Sequence, residues 1–215
     1  MSARRFSLFY LVSFAATFSL LSFQTVFAAD APNNKLNYLI NGDLVNGWSL
    51  QLGDPTNWST SVSNRNGESA SGKVKVEPSD RNAKGDALKV TWDKKPGQGN
   101  LGIYGGSVDL SNLENDGALF IEIKVITPPS GNVTIGMDCG YPCGGKVSVS
   151  KNLKKLKRNE WDMLPIPLNC FTKEGLDIKK VIGPFTMTTD GKLQIELGEV
   201  KLLKLSEGDV GCKTP

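Results

Sequence analysis

Apolar residues in this chain recur at every second position, in short runs cut apart by glycine, proline and asparagine. Leu88, Val90 and Trp92 alternate with Ala87, Lys89 and Thr91. Leu119, Ile121, Ile123 and Val125 alternate with Phe120, Glu122, Lys124 and Ile126. The same rhythm returns over 133–137, 164–168 and 193–197, and resumes at Val200 and Leu202. Successive side chains of an extended strand point to opposite faces, so each run predicts a half-buried strand with one apolar side. Lys95-Pro96-Gly97, Asn115-Asp116-Gly117, Pro128-Pro129-Ser130-Gly131 and Thr189-Asp190-Gly191 supply the turns between them.

Many short strands with frequent turns indicate an all-β sandwich. Two short helices are expected beside them, near 150–157 and within 172–180. Pro165 and Pro167 cannot donate to a ladder, so their strand belongs at a sheet edge. Residues 54–85 are rich in Ser, Asn and Gly and read as long loops around a short strand at 73–77. No internal repeat or interdomain linker interrupts the chain.

The first 28 residues follow another rule. Arg4 and Arg5 precede an apolar stretch from Phe6 to Leu21, and Thr25-Val26-Phe27-Ala28 places small residues at the −3 and −1 positions of a cleavage site. A membrane anchor is the alternative, but Ser13, Thr17, Ser19, Ser22 and Gln24 interrupt the run. No cysteine stands at the cleavage point to carry a lipid. The expectation is a signal peptide over 1–28, a single mature domain over 29–215, no membrane anchor after processing, and a periplasmic or secreted protein.

Export changes how charge and cysteine are read. Of 25 basic residues, removal of Arg4 and Arg5 leaves 23 against 22 acidic, a net charge near +1. A phosphate-backbone binder needs a basic stripe, and the best candidate, residues 151–158, reads as a short helix with a solvated face, so no nucleic-acid partner is expected. Cys139, Cys143, Cys170 and Cys212 are an even set in an exported chain and predict disulfides rather than a four-thiolate zinc site. Four cysteines allow three pairings. If the strands at 132–138 and 161–168 pair antiparallel, Cys139 lies far from Cys170. Cys139 then closes onto Cys143, and Cys170 tethers Cys212. The chain contains no histidine, which removes the Ser-His-Asp triad, the Cys-His dyad and the commonest general base.

From Val133 onward a longer pattern emerges. Met137-Asp138-Cys139-Gly140-Tyr141-Pro142-Cys143-Gly144-Gly145 is followed by Trp161, Leu164, Ile166-Pro167-Leu168 and Cys170-Phe171. Gly175-Leu176-Asp177-Ile178, Pro184-Phe185, Thr189 and Gly191-Lys192-Leu193 come next. Upstream stand Asn41-Gly42-Asp43, Gly47-Trp48, Gly85-Asp86-Ala87-Leu88, Trp92 and Val108-Asp109-Leu110-Ser111. Over about 38–204 this order resembles the C-terminal galactose-binding-like β-jelly-roll of bacterial family-three exo-β-glucan hydrolases, the ExoP type. The resemblance implies a jelly-roll β-sandwich and a sugar context. In those enzymes the catalytic carboxylates lie in large domains upstream of the module, where this chain has only the expected export signal. No catalytic residue carries over.

A sugar site needs an aromatic platform for the C–H face of the ring and planar polar groups for its hydroxyls. Trp58 and Trp48 lie in a Gly- and Asn-rich region beside Asp54, Asn57, Asn64 and Arg65, while Tyr104 and Tyr141 sit among glycines. These are the candidate stacking and orienting groups, although Trp48 also shares the parity of Leu50 and Leu52, which fits burial. Trp92 and Trp161 are expected in the core. Glu122, Lys124, Thr134, Asp138, Gln194 and Glu196 occupy the polar parity of their strands and predict a polar ladder if those strands are neighbours. Structural calcium is permitted, with Asp43, Asp54, Asp86 and Glu199 as oxygen donors, and no cofactor is required.

The leading expectation is a non-catalytic module that binds a β-glucan-like polysaccharide. An envelope scaffolding module without sugar affinity is the first rival, to be separated by whether Trp58 is exposed beside amides. A small glycoside hydrolase or lyase is the second, and would need two close carboxylates in a cleft, drawn from Glu122, Asp138 and Glu196.

Overall fold

The computed structural model describes residues 36–206, 208, 211 and 212. Among them, strands β1 Asn37–Ile40, β2 Asp43–Leu44, β3 Trp48–Asp54, β4 Asn57–Ser61, β5 Gly67–Glu68, β6 Val74–Ser79 and β7 Ala87–Trp92 form the first half. Then come β8 Gly99–Gly105, β9 Gly117–Thr127, β10 Val133–Asp138, β11 Gly144–Ser148, β12 Trp161–Pro167, β13 Gly183–Thr189 and β14 Leu193–Lys204. The α-helices are α1 Ser150–Lys155 and α2 Leu168–Lys173. One sheet runs β12-β9-β14-β7-β6-β5, with β1 on β14 and β2 on β1; the other runs β11-β10-β13-β8-β3-β4. All of these pairings are antiparallel.

The alternating residues face one another across the sandwich. Leu88, Val90, Trp92, Leu119, Ile121, Ile123, Ile195 and Leu197 from the first sheet meet Leu50, Leu52, Leu101, Ile103, Ile135, Phe185 and Met187 from the second, all essentially inaccessible. Antiparallel sheets with one face packed and one solvated produce this alternation, and burial of the apolar face stabilises the sandwich. The strand with two prolines, β12, lies at an edge and pairs only with β9, as its missing donors require.

Several expectations are corrected. The strand at 132–138 does not pair with that at 161–168: β10 lies between β11 and β13, and β12 belongs to the other sheet. The cysteine pairing inferred from that premise nevertheless holds, with Cys139 bonded to Cys143 and Cys170 to Cys212. The first closes the β10–β11 turn across four residues, and the second joins α2 to the tail across 42. Leu168 begins α2 rather than ending a strand. The second helical stretch splits into α2 and a 3₁₀ turn at Ile178–Lys180.

The six polar-parity residues do not share a surface. Glu122, Lys124, Gln194 and Glu196 lie on the outer face of the first sheet, and Thr134 and Asp138 belong to the second. Trp161 is half-buried rather than core, because it stands on that same outer face. The Lys124 ammonium is 5.0 Å and the Arg81 guanidinium 5.4 Å from the centre of its ring. Lys124 also pairs with Glu196, and Arg81 with Glu122. Glu196 Oε1 accepts from Ser79 Oγ at 2.6 Å. Two of the three carboxylates named for a hydrolase, Glu122 and Glu196, are therefore neutralised on the first sheet, and the third, Asp138, lies on the other sheet.

Glu122 has a measurable consequence. Burial raises its carboxyl above the ordinary range, with Arg81 opposing and Glu199 reinforcing. Its Oε2 has no hydrogen-bond partner among the described residues. A raised folded value means that the folded state holds the proton more tightly than the unfolded chain. Its contribution is full below the unfolded value of about 4.3 and is lost as pH rises through the folded one. Urea unfolding across that window should show wild-type stability declining with pH relative to Glu122→Gln. A constant difference between the two proteins would refute it.

Candidate functional site

The outer face of the second sheet carries a groove of about 560 Å³. It is lined at one end by Trp58 of β4 and at the other by Tyr141 and Pro142, which sit in the turn closed by the Cys139–Cys143 bond. Between them lie Gln98, Asn100 and Tyr104 around β8, Thr186 and Thr188 of β13, and Met137 and Asp138 of β10. Lys146 and Glu174 stand on its border.

Its floor is flat for a reason visible in β8. Leu101 and Ile103 point into the core, so Asn100, Gly102 and Tyr104 point into the groove. A Cβ at Gly102 would collide with Cε2 of the Tyr104 ring, and one at Gly183 would lie 2.7 Å from its Cε1. The two glycines thus let the ring lie down over the sheet. Asn100 Oδ1 accepts from Thr188 Oγ1 at 2.9 Å. Burial raises the Tyr104 hydroxyl above the usual phenol range and the Asp138 carboxylate adds to this, with the neighbouring Asn100 side chain opposing. It therefore remains a neutral donor at any physiological pH. Asp138 Oδ1 accepts from Gly140 N at 2.7 Å, which binds the floor to the disulfide turn.

Trp58 is 54 % exposed and Tyr141 fully exposed, the two large aromatic side chains that stand out into solvent among the described residues. With Tyr104 they bring three aromatic rings and several hydroxyl, amide and carboxylate groups to one groove. Such a surface can stack on the apolar face of a ring and hydrogen-bond its edge.

Five other candidates lie elsewhere. Trp48 is in the core, with its ring edge-on to Tyr38 at 5.0 Å, because it follows the inward parity of Leu50 and Leu52. Asp54 is inaccessible and accepts from Ser71 N at 2.7 Å, Ser71 Oγ at 2.8 Å and Thr56 N at 2.9 Å. Arg65 pairs with Asp43 at 3.2 Å in a smaller cleft of about 350 Å³ that shares no lining residue with the groove. Glu122 and Gln194 face outward from the first sheet, and Gln194 Nε2 donates to Thr91 Oγ1 at 3.1 Å.

The four oxygen donors considered for calcium are not brought together. Asp43 faces Arg65, and Asp86 accepts from the amides of Arg81, Asn82 and Ala83. Asp54 is bound as described above, and Glu199 pairs with Lys201. No cluster of three or more His, Cys, Asp or Glu suited to a metal occurs among the described residues. No helix among them is long and apolar enough to cross a membrane.

The arrangement matches a known family, the galactose-binding domain-like ExoP C-terminal domains, over residues 46–202. The chain belongs to that family. Its fold is similar to the extra C-terminal domain of an exo-1,3/1,4-β-glucanase from a Pseudoalteromonas species. The two share 16 % identity and a TM-score of 0.67, over 83 % of this chain and 99 % of that domain. Against the whole glucanase the TM-score is 0.66 at 16 % identity, covering 81 % of this chain and 21 % of the enzyme. A family 30 carbohydrate-binding module of a cellulosomal cellulase from Clostridium thermocellum matches with a TM-score of 0.56 and 16 % identity. That match covers 81 % of this chain and 99 % of the module. No curated protein matches the chain. At these identities the structural matches establish the fold.

Proposed function

We propose that this ExoP C-terminal-type domain is an exported, non-catalytic module that binds a neutral β-glucan-like polysaccharide in the groove on its second sheet. The observation that carries the reading is the coincidence of Trp58, Tyr104 and Tyr141 with Asn100, Gln98 and the two threonines on one open face. Two acids, Asp138 and Glu174, against one lysine make the groove unsuited to acidic chains. Binding would need no cofactor, since aromatic faces and hydrogen-bonding groups are the whole of its chemistry.

A scaffolding role predicts a broad apolar patch, whereas Trp58 stands beside amides and hydroxyls, which favours a sugar. A hydrolase reading is disfavoured by the pairing of Glu122 with Arg81 and of Glu196 with Lys124 on the first sheet, apart from Asp138 on the second. The two disulfides fit release into the periplasm or medium. Affinity electrophoresis in gels containing mixed-linkage β-glucan, xylan or polygalacturonate tests the reading. Retardation by the neutral β-glucan and none by the polyuronate is expected. Equal mobility in all gels, or reducing ends released from the glucan by the purified protein, would overturn it.

A further inference from the structure

Lys73 is the largest charged side chain to be wholly enclosed among the described residues, with no accessible surface. A lysine ammonium has three donors. All three are taken by backbone carbonyl oxygens: Asp93 O at 2.7 Å, Lys95 O at 2.7 Å and Asp190 O at 2.8 Å. None is a carboxylate, so no direct ion pair offsets the cost of removing the charge from water. An ammonium in that position is held because two chain segments, the β7–β8 connection and the β13–β14 turn, aim three oxygen dipoles at one point, with the Asp93 and Asp190 carboxylates near enough to favour the charge. Converging carbonyl oxygens are what a hard metal ion takes as ligands.

We infer that the carbonyls of Asp93, Lys95 and Asp190 form a cation cage, and that Lys73 is its built-in occupant, replacing a dissociable ion. The cage ties the β7–β8 connection to the β13–β14 turn. The Lys73 amide segment is locked to it as well, since Asp93 N donates to Lys73 O at 3.0 Å. The aliphatic stem runs beneath Gly99: a Cβ there would lie 2.7 Å from Lys73 Cγ. Gly99 stands between Gln98 and Asn100, two groove residues, so the tethered cation sets the height of that part of the floor. Lys73 touches no proposed ligand. It is a positioning residue, and only this last consequence rests on the carbohydrate reading.

The cage is tested first in the wild-type protein. Nitrogen-15 NMR of the lysine ammonium groups should show one Nζ whose protons exchange slowly with water at neutral pH. Uniformly fast exchange of every lysine would overturn the assignment, and this needs no variant to fold. Lys73→Ala then vacates the cage and its channel. Its Tm should drop by several degrees and recover most of that loss in ammonium or potassium chloride, but not in tetramethylammonium chloride at equal ionic strength. Lys73→Met fills the channel and should be destabilised without rescue. A Lys73→Ala protein with unchanged Tm, or one restored equally by the bulky cation, would refute the cage. Should Lys73→Ala fail to fold, the same salts added during refolding give the same comparison. Loss of glucan retention tests the groove separately, and a protein with no glucan affinity would leave the Tm and NMR outcomes standing.

Discussion

Replacing Trp58 with alanine is expected to weaken glucan binding at least tenfold while leaving the Tm of the protein where it was. Trp58 is more than half exposed and its strand, β4, is the outermost of its sheet, so no core contact depends on the indole. Surface substitutions of this kind change stability by about 0.5 kcal/mol or less. In a complex, the indole loses its remaining water against a pyranose face. Aromatic side chains at such anchoring positions carry a large share of binding energy, and tenfold corresponds to about 1.4 kcal/mol. Tyr141→Ala should do the same at the opposite end, and the double variant should show no retention in the gel. Met163→Ala, exposed on the other sheet, is the control and should bind as wild type does. Isothermal titration with mixed-linkage oligosaccharides checks all four proteins. Unchanged affinity in both single variants would remove the groove from consideration, whatever glycan the protein retained.

The fold was legible in the chain because burial on one face of a strand imposes period two. Leu119, Ile121, Ile123 and Val125 could not have alternated by chance with Glu122 and Lys124 and still closed a core. Neighbour relations were not legible by the same logic. Alternation tells which residues of one strand share a face, and says nothing about which strand lies beside it. Glu122 and Asp138 therefore looked like members of one ladder although they belong to different sheets. The disulfide pairing survived a wrong premise because Cys139 and Cys143 are only four residues apart across one turn, which leaves Cys170 and Cys212 to pair with each other.

The groove was half legible. Trp58, Tyr104, Tyr141 and Asp138 stood out as aromatic or acidic residues among glycines. Gln98, Asn100, Thr186 and Thr188 did not, since polar groups at outward positions occur on every solvated sheet. A usable signal lay in Asn100-Leu101-Gly102-Ile103-Tyr104. Its outward side reads amide, glycine, aromatic, and a glycine there leaves room for the neighbouring ring to lie flat. Trp48 and Trp58 show the limit of residue type alone. They share composition and neighbourhood, and parity with Leu50 and Leu52 sends the first inward.

Asp54→Ala is the second large effect, and it bears on stability rather than affinity. The carboxylate has no accessible surface and holds the β3–β4 turn to the loop before β6 through Ser71 N, Ser71 Oγ and Thr56 N, with a longer contact from Asn57 N at 3.3 Å. Alanine leaves those donors in place without an acceptor, and each buried unsatisfied group costs about 1–3 kcal/mol. Water can reach some of them, so a net loss of about 3 kcal/mol is expected, roughly 10 °C in Tm for a domain of this size. Acid should reproduce part of the effect. Burial by itself would raise the Asp54 carboxyl, but the bonds from Ser71, Ser69 and Thr56 outweigh it and hold the group far below the ordinary carboxylate range. A depressed folded value means that the stabilisation is complete above the unfolded value of about 3.9 and drains away as pH falls beneath it. Urea unfolding should therefore show a gap between wild type and Asp54→Ala that is constant at neutral pH and narrows in acid. A gap that widened on acidification, or a variant as stable as wild type, would mean that the turn is held by something other than this carboxylate. Because Trp58 is carried by β4, the strand entered directly from that turn, loosening it should also weaken glucan binding at temperatures well below the melting transition.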